Sequence, residues 1–416
     1  MSGRLHLPLL LILLALPMGL DARTWYIEPG GTGDAPTIQA GIDSAAAADT
    51  VLLASGTFSG TGNEILDYSG KAITVCSETG NPEDCIIDCV EYGGHIEFTT
   101  GEGPGSVLDG ITFRHGRYAV ECSQSTPTIR NCIFQDNGST WLAGGMVYYE
   151  AGGVIRGCRV RSNAGRYAGG IMCSGGCYSP DLRIVDCVFE GNHPGDDSGG
   201  GAIYCEAAGF AIHVDSCMFH DNYTTSGGGA VCLSCCECGG DEVVFADCTF
   251  WGNSAVDGGA VGIYLARADF ARCTFYGNSA DIGSAIAVGD IGNAFLYRCI
   301  IAYNQGGEAI AAPGPYLCPV FPSCTDIYGN EGGDWVGGIS EWFGVNGNFS
   351  ACPSFCNADV EPYDFRLCDT SPCAPGNHPD SADCGLIGAW PVGCTCAPSS
   401  VEPASSTWGA IKGMYR

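Results

Sequence analysis

Cys132-Ile-Phe-Gln-Asp-Asn137 is the stretch that decides the fold of this chain, because its spacing of cysteine, apolar residue and asparagine recurs seven times. The intervals between successive cysteines are 26, 29, 30, 31, 25 and 26 residues. A repeat of this length is typical of a solenoid, in which each repeat forms one layer stacked on the layer before it. The copies begin at Cys132, Cys158, Cys187, Cys217, Cys248, Cys273 and Cys299.

Each repeat shares three further positions. An apolar residue lies three positions before the cysteine, a mostly aromatic residue lies two positions after it, and a glycine pair or near-pair follows the asparagine. Side chains alternate along a strand, so the cysteine and the aromatic residue are predicted to share a face, and the odd offset of the earlier apolar residue requires a bend. No repeat has the apolar stripe of a helix. The sequence therefore predicts an all-β solenoid of short strands and tight corners.

Stacking of equivalent coils predicts three ladders of side chains. Parallel strands lie about 4.8 Å apart, so equivalent residues of successive coils sit above one another. The cysteines would form a dry internal column, the aromatic residues a stack, and the asparagines an amide ladder at a corner, where asparagine tolerates left-handed backbone. Because the coil spacing exceeds the roughly 3.8 Å between the β-carbons of a disulfide, we expect the column to consist of buried thiols.

The repeats also resemble a known family. Gly201-Ala-Ile, Gly229-Ala-Val and Gly259-Ala-Val, each with Phe-x-x-Asn, are similar to the repeats of polymorphic outer-membrane proteins, and the whole pattern resembles the right-handed parallel β-helix of pectate-lyase-like proteins. The resemblance covers about residues 105–310 and implies a right-handed parallel β-helix of about ten or eleven coils. It implies no activity, because one fold carries many functions.

The flanking segments resemble the same group more loosely. Thr37–Ala45 followed by Asp49–Leu53 looks like an N-terminal capping helix and first strand, while Ser371–Gly376 and Cys384–Ala389 look like the closing segment of bacterial β-helix proteins. A helix from about Thr37 to Ala48 is expected to cover the open end of the solenoid, because a terminal coil otherwise exposes unpaired strands.

Five segments follow from these features. The apolar run Leu5–Leu16 is too short to span a membrane and is typical of a signal peptide cleaved near Ala22. The predicted division is residues 1–22 as signal peptide, 23–60 as N-terminal cap, 61–304 as β-helix coils, 305–396 as cysteine-rich last coils and C-terminal cap, and 397–416 as linker and short tail. Disulfides of unspecified pairing are expected to hold the C-terminal cap.

Composition points to an exported protein, secreted or at the cell surface. The chain has 27 cysteines, which favours an oxidising compartment with some disulfides. The net charge is −29, with 17 Lys plus Arg, so nucleic acid is excluded as a partner and anionic polysaccharide would be repelled unless Ca²⁺ bridged it. No cofactor is required by any motif, and Ca²⁺ stays open as a weak ligand of carboxylates at coil edges.

The spacing between the glycine-led strand and the next cysteine strand varies most, and variable loops on a rigid scaffold often carry binding sites. Two of these loops contain Cys173-x-x-x-Cys177 and Cys232-x-x-Cys235-Cys236-x-Cys238, with Cys205 in the coil between. If these thiols gather at one corner, they form disulfides between coils or a zinc site. Export favours disulfides, so no metal ligand is assigned. The variable stretches are Tyr148–Gly153, Cys173–Leu182, Cys205–Phe210 and Cys232–Glu242.

Catalytic residues stay unknown at this level. The Gly-His-Gly and Arg-x-Lys motifs of polygalacturonase-like enzymes are absent, and Asp196-Asp197, Asp241-Glu242 and Arg183 fit a lyase only by choice after the fact. Arg114-His115 is interpreted as a solvated surface pair. The sequons at Asn137 and Asn222 are discounted because both asparagines belong to the predicted buried ladder, and a third sequon begins at Asn348.

The leading hypothesis is a non-catalytic, carbohydrate- or surface-binding module, expected to be a monomer without a membrane span. Its partner would be an extracellular polysaccharide or a cell-surface component, and the predicted sugar-stacking aromatics are Tyr148, Tyr149, Tyr178 and Tyr223. Whether the protein is an enzyme stays open, with the balance against it. The alternatives are a polysaccharide lyase or glycoside hydrolase of the same fold and a purely structural surface protein.

Overall fold

The computed structural model describes residues 22–89, 93–176, 179–195, 199–207, 211–234, 243–313 and 318–396. Three parallel sheets of 12, 11 and 10 strands run the length of the molecule, and each strand pairs with its equivalents in the coils before and after. The predicted signal peptide lies outside the described residues except for Ala22, and the predicted tail, residues 397–416, lies outside them altogether.

Sheet A contains the apolar residue that precedes each cysteine. Its strands are Thr24–Ile27, Thr50–Leu53, Thr74–Ser77, Val107–Asp109, Thr128–Arg130, Gly153–Arg156, Leu182–Val185, Ile212–Asp215, Val243–Ala246, Arg267–Ala271, Asn293–Tyr297 and Val320–Ser323. It has more strands than the ten or eleven expected coils because Thr24–Ile27 of the N-terminal cap pairs with Thr50–Leu53.

Sheet B contains the aromatic residue that follows each cysteine. Its strands are Gly56–Phe58, Cys85–Asp88, Thr112–Arg114, Ile133–Gln135, Arg159–Arg161, Val188–Glu190, Met218–His220, Thr249–Trp251, Thr274–Tyr276, Ile300–Ala302 and Asp326–Tyr328. The last of these continues the repeat beyond Asn304. Thr325 takes the place of the cysteine and is fully buried, and Asn330 extends the amide ladder.

Sheet C is formed by the segments that follow the glycine pairs. Its strands are Ile65–Asp67, His95–Phe98, Val120–Ser123, Met146–Tyr149, Ile171–Gly175, Ile203–Ala207, Val231–Ser234, Val261–Tyr264, Ile286–Gly289 and Ile310–Ala311. The strand expected after the glycine pair of each repeat is therefore confirmed.

Small elements complete the described structure. The pairs Ala164–Gly165 with His193–Pro194 and Ser279–Ala280 with Gln305–Gly306 are short parallel ladders at the corners. Short 3₁₀ helices lie at Pro82–Asp84 and Gly337–Trp342. A three-stranded sheet of Phe355–Asn357, Asp364–Cys368 and Val392–Cys394 belongs to the C-terminal region.

The capping helix is shorter than predicted. It spans Ile38–Ser44, with Thr37 as N-cap, and buries Ile38 and Ile42 against the first coil. The helix does not reach Ala48 because Asp49 accepts hydrogen bonds from the backbone N–H of Ala46 and Arg23, at 2.9 and 2.8 Å. Such local side-chain bonds compete with helical ones and favour a turn.

The predicted ladders are confirmed. The rings of Phe189, Phe219, Phe250 and Phe275 stack with 4.8 Å between successive centroids. The seven repeat cysteines are buried and not disulfide-bonded. Their thiols also have polar contacts: the Cys217 sulfur accepts the backbone N–H of Cys187 at 3.4 Å, and its thiol lies 3.2 Å from the Asp215 carbonyl oxygen.

The asparagine ladder runs through the same wall. Asn192 donates from Nδ2 to Asn222 Oδ1, and Asn222 does so to Asn253, each at 3.0 Å. One detail of the prediction is wrong, because the asparagines themselves are not left-handed. The residue before each asparagine takes the positive φ, as at Asp136 (53°) and Asp221 (56°), which leaves the amide free to point along the ladder.

Disulfides are confirmed in the C-terminal region. The bonds join Cys324 to Cys384, Cys356 to Cys394 and Cys368 to Cys396. Cys318, Cys352 and Cys373, which also lie in the predicted cysteine-rich segment 305–396, are not disulfide-bonded. We call residues 351–396 the C-terminal lobe. The Cys356–Cys394 and Cys368–Cys396 bonds lie within it, and the Cys324–Cys384 bond joins it to the solenoid.

Candidate functional site

The outer face of sheet B presents one line of side chains along the axis of the solenoid. The residue before the last in each sheet-B strand from Cys85–Asp88 onward points into the core, as Phe189, Phe219 and Phe250 do, so the last residue points outward. We call these outward residues the sheet-B strip. It consists, in register, of Asp88, Arg114, Gln135, Arg161, Glu190, His220, Trp251 and Tyr276.

In the first part of the strip, side chains of opposite charge on neighbouring coils form salt bridges. Asp88 accepts hydrogen bonds from Arg114 Nε and Nη2, at 3.0 and 2.7 Å, and lies 2.7 Å from His115 Nδ1. Burial opposes ionisation of Asp88, but the hydrogen bonds from His115 and Arg114 outweigh it and hold its pKa below the ordinary value. Arg114 and His115, interpreted from the sequence as a solvated pair, are thus joined through one carboxylate. Their side chains are 31% and 45% exposed.

The next part of the strip is held in a similar way. Arg161 Nε and Nη2 donate to Gln135 Oε1, at 3.0 and 2.6 Å. The Arg161 guanidinium is therefore turned toward Gln135 and away from Glu190, which is its partner in register on the other side. These fixed contacts make the strip a pre-organised polar surface.

The C-terminal lobe covers the other end of sheet B. Trp390 Nε1 donates to Thr249 Oγ1 at 2.8 Å, and the Ala389 N–H donates to Thr274 Oγ1 at 3.0 Å. Ile300, which points outward from sheet B, is fully buried in a cluster with Leu367 and Ile387 of the lobe. The exposed strip therefore ends where the lobe begins.

A cleft of about 550 Å³ lies at this boundary. It is lined by strip residues on one side and by the edge of the lobe on the other. The lining residues are Glu190, His220, Asp221, Trp251, Glu361, Pro362 and Tyr363.

Aromatic rings form one wall of the cleft. The His220 ring stacks on Trp251 with centroids 4.5 Å apart and planes 7° from parallel, and Tyr363 packs on Trp251 at 4.5 Å with a 47° tilt. Tyr363 is 40% exposed. The Trp251 Nε1–H is buried and has no hydrogen-bond partner within the described residues. A buried donor without a partner costs about 1–3 kcal/mol, and a ligand in the cleft does not reach this inaccessible atom.

Carboxylates form the rest of the lining. Asp221 Oδ2 lies 2.9 Å from His220 Nδ1 and fixes the orientation of that ring. Glu190 and Glu361 are exposed, and neither has an ion-pair partner in the part of the chain that the structure describes. The cleft can therefore accept hydrogen bonds from hydroxyl or ammonium groups while an apolar face of the ligand packs on the rings.

Three of the four aromatic residues proposed from the sequence are described, and none of these three lines the cleft. Tyr148 is 1% exposed, so its prediction as an exposed residue is wrong; it shares the inner face with Cys122 and Cys173 through the strand alternation. Tyr149 is half-buried on sheet C, and Tyr223 is 46% exposed at a corner, where it stacks on His193. Tyr178 lies outside the described residues.

The predicted cysteine corner is only partly described. Cys173 and Cys205 are neighbours in register on the inner face of sheet C, but Cys232 pairs with Tyr204 and therefore faces outward. These three sulfurs cannot meet at one corner, because adjacent strand positions point to opposite faces. Cys177, Cys235, Cys236 and Cys238 lie outside the described residues.

The remaining candidates from the sequence that the structure describes are not among the residues that line the cleft. Arg183 is exposed on sheet A, and Asp196-Asp197 and Asp241-Glu242 lie outside the described residues. Asn137, Asn222 and Asn348, which begin the three sequons, are at most 1% exposed.

Three cysteine sulfurs of the C-terminal lobe lie close together but do not form a metal site. The sulfurs of Cys368, Cys394 and Cys396 lie within 4.8 Å of one another, and all three cysteines belong to disulfides. Disulfide sulfur is not the thiolate that binds zinc. The cluster therefore reflects two adjacent disulfides.

Sequence reasoning missed Trp251, Tyr363, Glu190 and Glu361. Trp251 carried one weak signal, since it is the largest aromatic residue at the outward position, where three repeats place the polar residues Gln135, Arg161 and Glu190 and the next repeat places Tyr276. No sequence pattern indicated Tyr363 or Glu361, because they reach sheet B only through the packing of the C-terminal lobe on that sheet.

Comparisons with known proteins concern the fold. A family model described as a right handed beta helix region matches residues 86–238, and no curated protein matches the chain. The solved pectate lyase Pel9A is 14% identical with a TM-score of 0.48, and the alignment covers 90% of this chain and 98% of that one. The PL6 family alginate lyase AlyGC is 12% identical with a TM-score of 0.48, over 91% of this chain and 59% of its own length.

A third similar structure is ORF18 of Geobacillus virus E2, which is 13% identical with a TM-score of 0.43, over 71% of this chain and 59% of that one. Within the described residues, no helix is long and apolar enough to cross a membrane. The family match over residues 86–238, together with the three stacked parallel sheets, shows that the fold is a right-handed parallel β-helix.

Proposed function

We propose that this protein is exported and binds carbohydrate without cleaving it, using the sheet-B strip and the cleft. The observation that carries the proposal is the aromatic wall of Trp251 and Tyr363 beside the exposed carboxylates Glu190 and Glu361. Aromatic rings pack against the apolar faces of sugar rings, and carboxylates accept hydrogen bonds from hydroxyls. The cleft is open and shallow, so binding would depend on these side-chain contacts and not on enclosure of the ligand.

The strip suits a linear polymer. A glycan that lies along the solenoid axis would meet a new polar side chain about every 4.8 Å. The contacts of Arg114 with Asp88 and of Arg161 with Gln135 already fix these side chains, so less conformational entropy is lost on binding. The partner we propose is therefore an extracellular polysaccharide or a cell-surface glycan, bound by a monomer.

Two further features belong to the proposal. Export is supported by the disulfides of the C-terminal lobe, which favour an oxidising compartment. The segment boundaries at residues 22, 60, 304 and 396 are proposed as the limits of signal peptide, N-terminal cap, coils and C-terminal cap. No cofactor is proposed, and Ca²⁺ is proposed only as a weak ligand of exposed carboxylates.

A second candidate function is cleavage of a polysaccharide by a lyase or hydrolase mechanism. It is favoured by one observation: the cleft contains His220 together with the carboxylates of Glu190, Asp221 and Glu361. Histidine and carboxylates are the common general acids and bases, and glycoside hydrolysis uses a pair of carboxyl groups. A structural surface protein is the third class, and it predicts no glycan ligand.

The test is a screen of the mature protein against immobilised neutral, cationic and acidic glycans, with Ca²⁺ and with chelator. In parallel, reducing ends and unsaturated sugar ends are measured in solution. Retention on a glycan without product supports binding without cleavage. Turnover of any substrate would replace the proposal with the enzymatic candidate, and the lack of both retention and turnover would favour the structural role.

A further inference from the structure

We propose that the cleft selects amino-sugar units, whose protonated amine is held between the carboxylates of Glu190 and Glu361 while the sugar ring packs on the exposed ring of Tyr363, which Trp251 supports from behind. This inference rests on the proposed function and adds the charge of the ligand. It concerns the part of the strip beside the C-terminal lobe, where the pairing of opposite charges seen nearer the N-terminus ends.

The charges that line the cleft are almost all negative. Glu190, Asp221 and Glu361 contribute carboxylates, and His220 is the basic side chain among the lining residues. Asp221 is engaged with His220 at 2.9 Å, so Glu190 and Glu361 are the carboxylates left to pair with a ligand. The next cation along the strip is Arg161, and its guanidinium is bound to Gln135. An ammonium group therefore finds its best partners here, and a carboxylate of a uronic acid meets repulsion.

The aromatic wall favours the same ligand. A cation over the face of an indole or phenol ring is attracted by the ring quadrupole. Trp251 and Tyr363 lie in contact with centroids 4.5 Å apart, and both line the cleft that Glu190 and Glu361 share. An amino sugar offers both an apolar ring face and a cation, so it matches the two halves of this lining together.

The charge of the whole chain points in the same direction. The net charge of −29 creates a negative potential that raises the local concentration of cations and lowers that of anions. This long-range effect is screened by salt, whereas the contact between ammonium and carboxylate inside the cleft is screened less. Preference for a cationic glycan should therefore weaken with salt and still persist.

The experiment compares three oligomers with one β-linked backbone and one length. Their amines are N-acetylated (neutral), N-trimethylated (cationic at every pH) or N-succinylated (anionic). Each oligomer is titrated calorimetrically into the full-length protein at about pH 7.5. The variants are Glu190→Gln and Glu361→Gln, with Glu341→Gln, an exposed glutamate in the Gly337–Trp342 helix, as the matched control. Unfolding temperatures establish that each variant is folded.

We expect the cationic oligomer to bind most tightly, and each cleft variant to lower its affinity about threefold to fivefold while Glu341→Gln does not. Equal binding of the neutral and cationic oligomers, still abolished by Trp251→Ala, would overturn the amine selection and leave carbohydrate binding intact. Tightest binding of the anionic oligomer, with or without Ca²⁺, would also overturn it. If no oligomer bound the wild-type protein, both the selection and the proposed binding function would fail.

Discussion

At the scale of single residues, the coils are joined by the asparagine ladder and by the cysteine column, and both make hydrogen bonds. The asparagine ladder stabilises the corners. Each asparagine accepts from the coil before it and donates to the coil after it, while its Nδ2 also reaches a backbone carbonyl, as Asn222 does to Phe189 at 3.0 Å. The sequence predicted these asparagines because every copy has one at the same spacing. It did not show that the preceding residue carries the left-handed backbone, since Asp, Ser, Gly and Tyr all occupy that position.

Asn222→Ala is predicted to lower the free energy of unfolding by about 3 kcal/mol, because it leaves the buried N–H groups of Asn192 without their acceptor. Chemical denaturation followed by circular dichroism measures the change. Tyr223→Ala, at the next position and 46% exposed, serves as the control with an effect below about 1 kcal/mol. Equal effects of the two substitutions would contradict the structural role of the ladder.

The cysteine column is predicted to resist alkylation in the native protein. Burial raises the pKa of the Cys217 and Cys248 thiols well above the ordinary value, so little thiolate is present and no reagent reaches it. Cys352 is exposed and not disulfide-bonded, so it should react first. Peptide mapping after iodoacetamide treatment, with and without denaturant, gives the pattern. Native labelling of the column at the rate of Cys352 would show that the column is not buried.

At the scale of elements, the strands were predictable and the lobe was not. The alternation of side chains along a strand correctly predicted that Phe189 and Phe219 point inward. It did not predict that Tyr148 is buried, because the sequence did not show where the strand Met146–Tyr149 begins. The helix after Thr37 was recognisable from its pattern, but its end depends on Asp49, which bonds back to Ala46. The packing of the C-terminal lobe on sheet B joins residues as far apart as Thr249 and Trp390, and no local pattern encodes such a contact.

The junction of sheet B with the lobe contains a buried acid. Asp326 is fully buried; its Oδ1 accepts the Ala351 N–H at 3.0 Å, and its Oδ2 lies 3.2 Å from the Cys373 sulfur. Burial, helped by the nearby Asp334 and opposed by the hydrogen bonds with Ala351 and Cys373, raises the pKa of Asp326 from 3.8 to about 8. The Asp326 carboxyl is therefore protonated in the folded protein at neutral pH.

The stability contributed by Asp326 should fall as the pH rises. Between the pKa of the unfolded chain and that of the folded protein, the folded state binds a proton that the unfolded state lacks. This stabilisation is fully present below about pH 4 and is lost as the pH rises through about 8. Asp326→Asn keeps an oxygen for the Ala351 N–H and does not titrate.

We predict that the free energy of unfolding of the wild type decreases from about pH 5 to about pH 9 relative to Asp326→Asn, by a few kcal/mol in total. Denaturation curves at several pH values, followed by tryptophan fluorescence, measure the difference between the two proteins. Parallel pH profiles for wild type and variant would contradict a protonated Asp326.

At the scale of the whole molecule, the architecture was readable from a repeat of 25 to 31 residues, because stacking is the one way in which such repeats bury their apolar residues. The coil after Asn304 was harder to recognise, since Thr325 replaces cysteine, although Ile327 and Asn330 keep the spacing. The binding site could not be predicted in this way. It lies where a regular strip meets an irregular lobe, and its aromatic wall joins Trp251 to Tyr363, 112 residues later.

The most direct test of the account is the affinity of Trp251→Ala for whichever glycan the wild-type protein retains, measured by calorimetry beside Trp141→Ala. Trp141 is 64% exposed and is not among the residues that line the cleft, so it controls for the loss of a surface indole. The account predicts at least about a tenfold loss of affinity for Trp251→Ala, roughly 1.4 kcal/mol, and no change for Trp141→Ala. Unchanged affinity of a folded Trp251→Ala protein would contradict the cleft as the binding site.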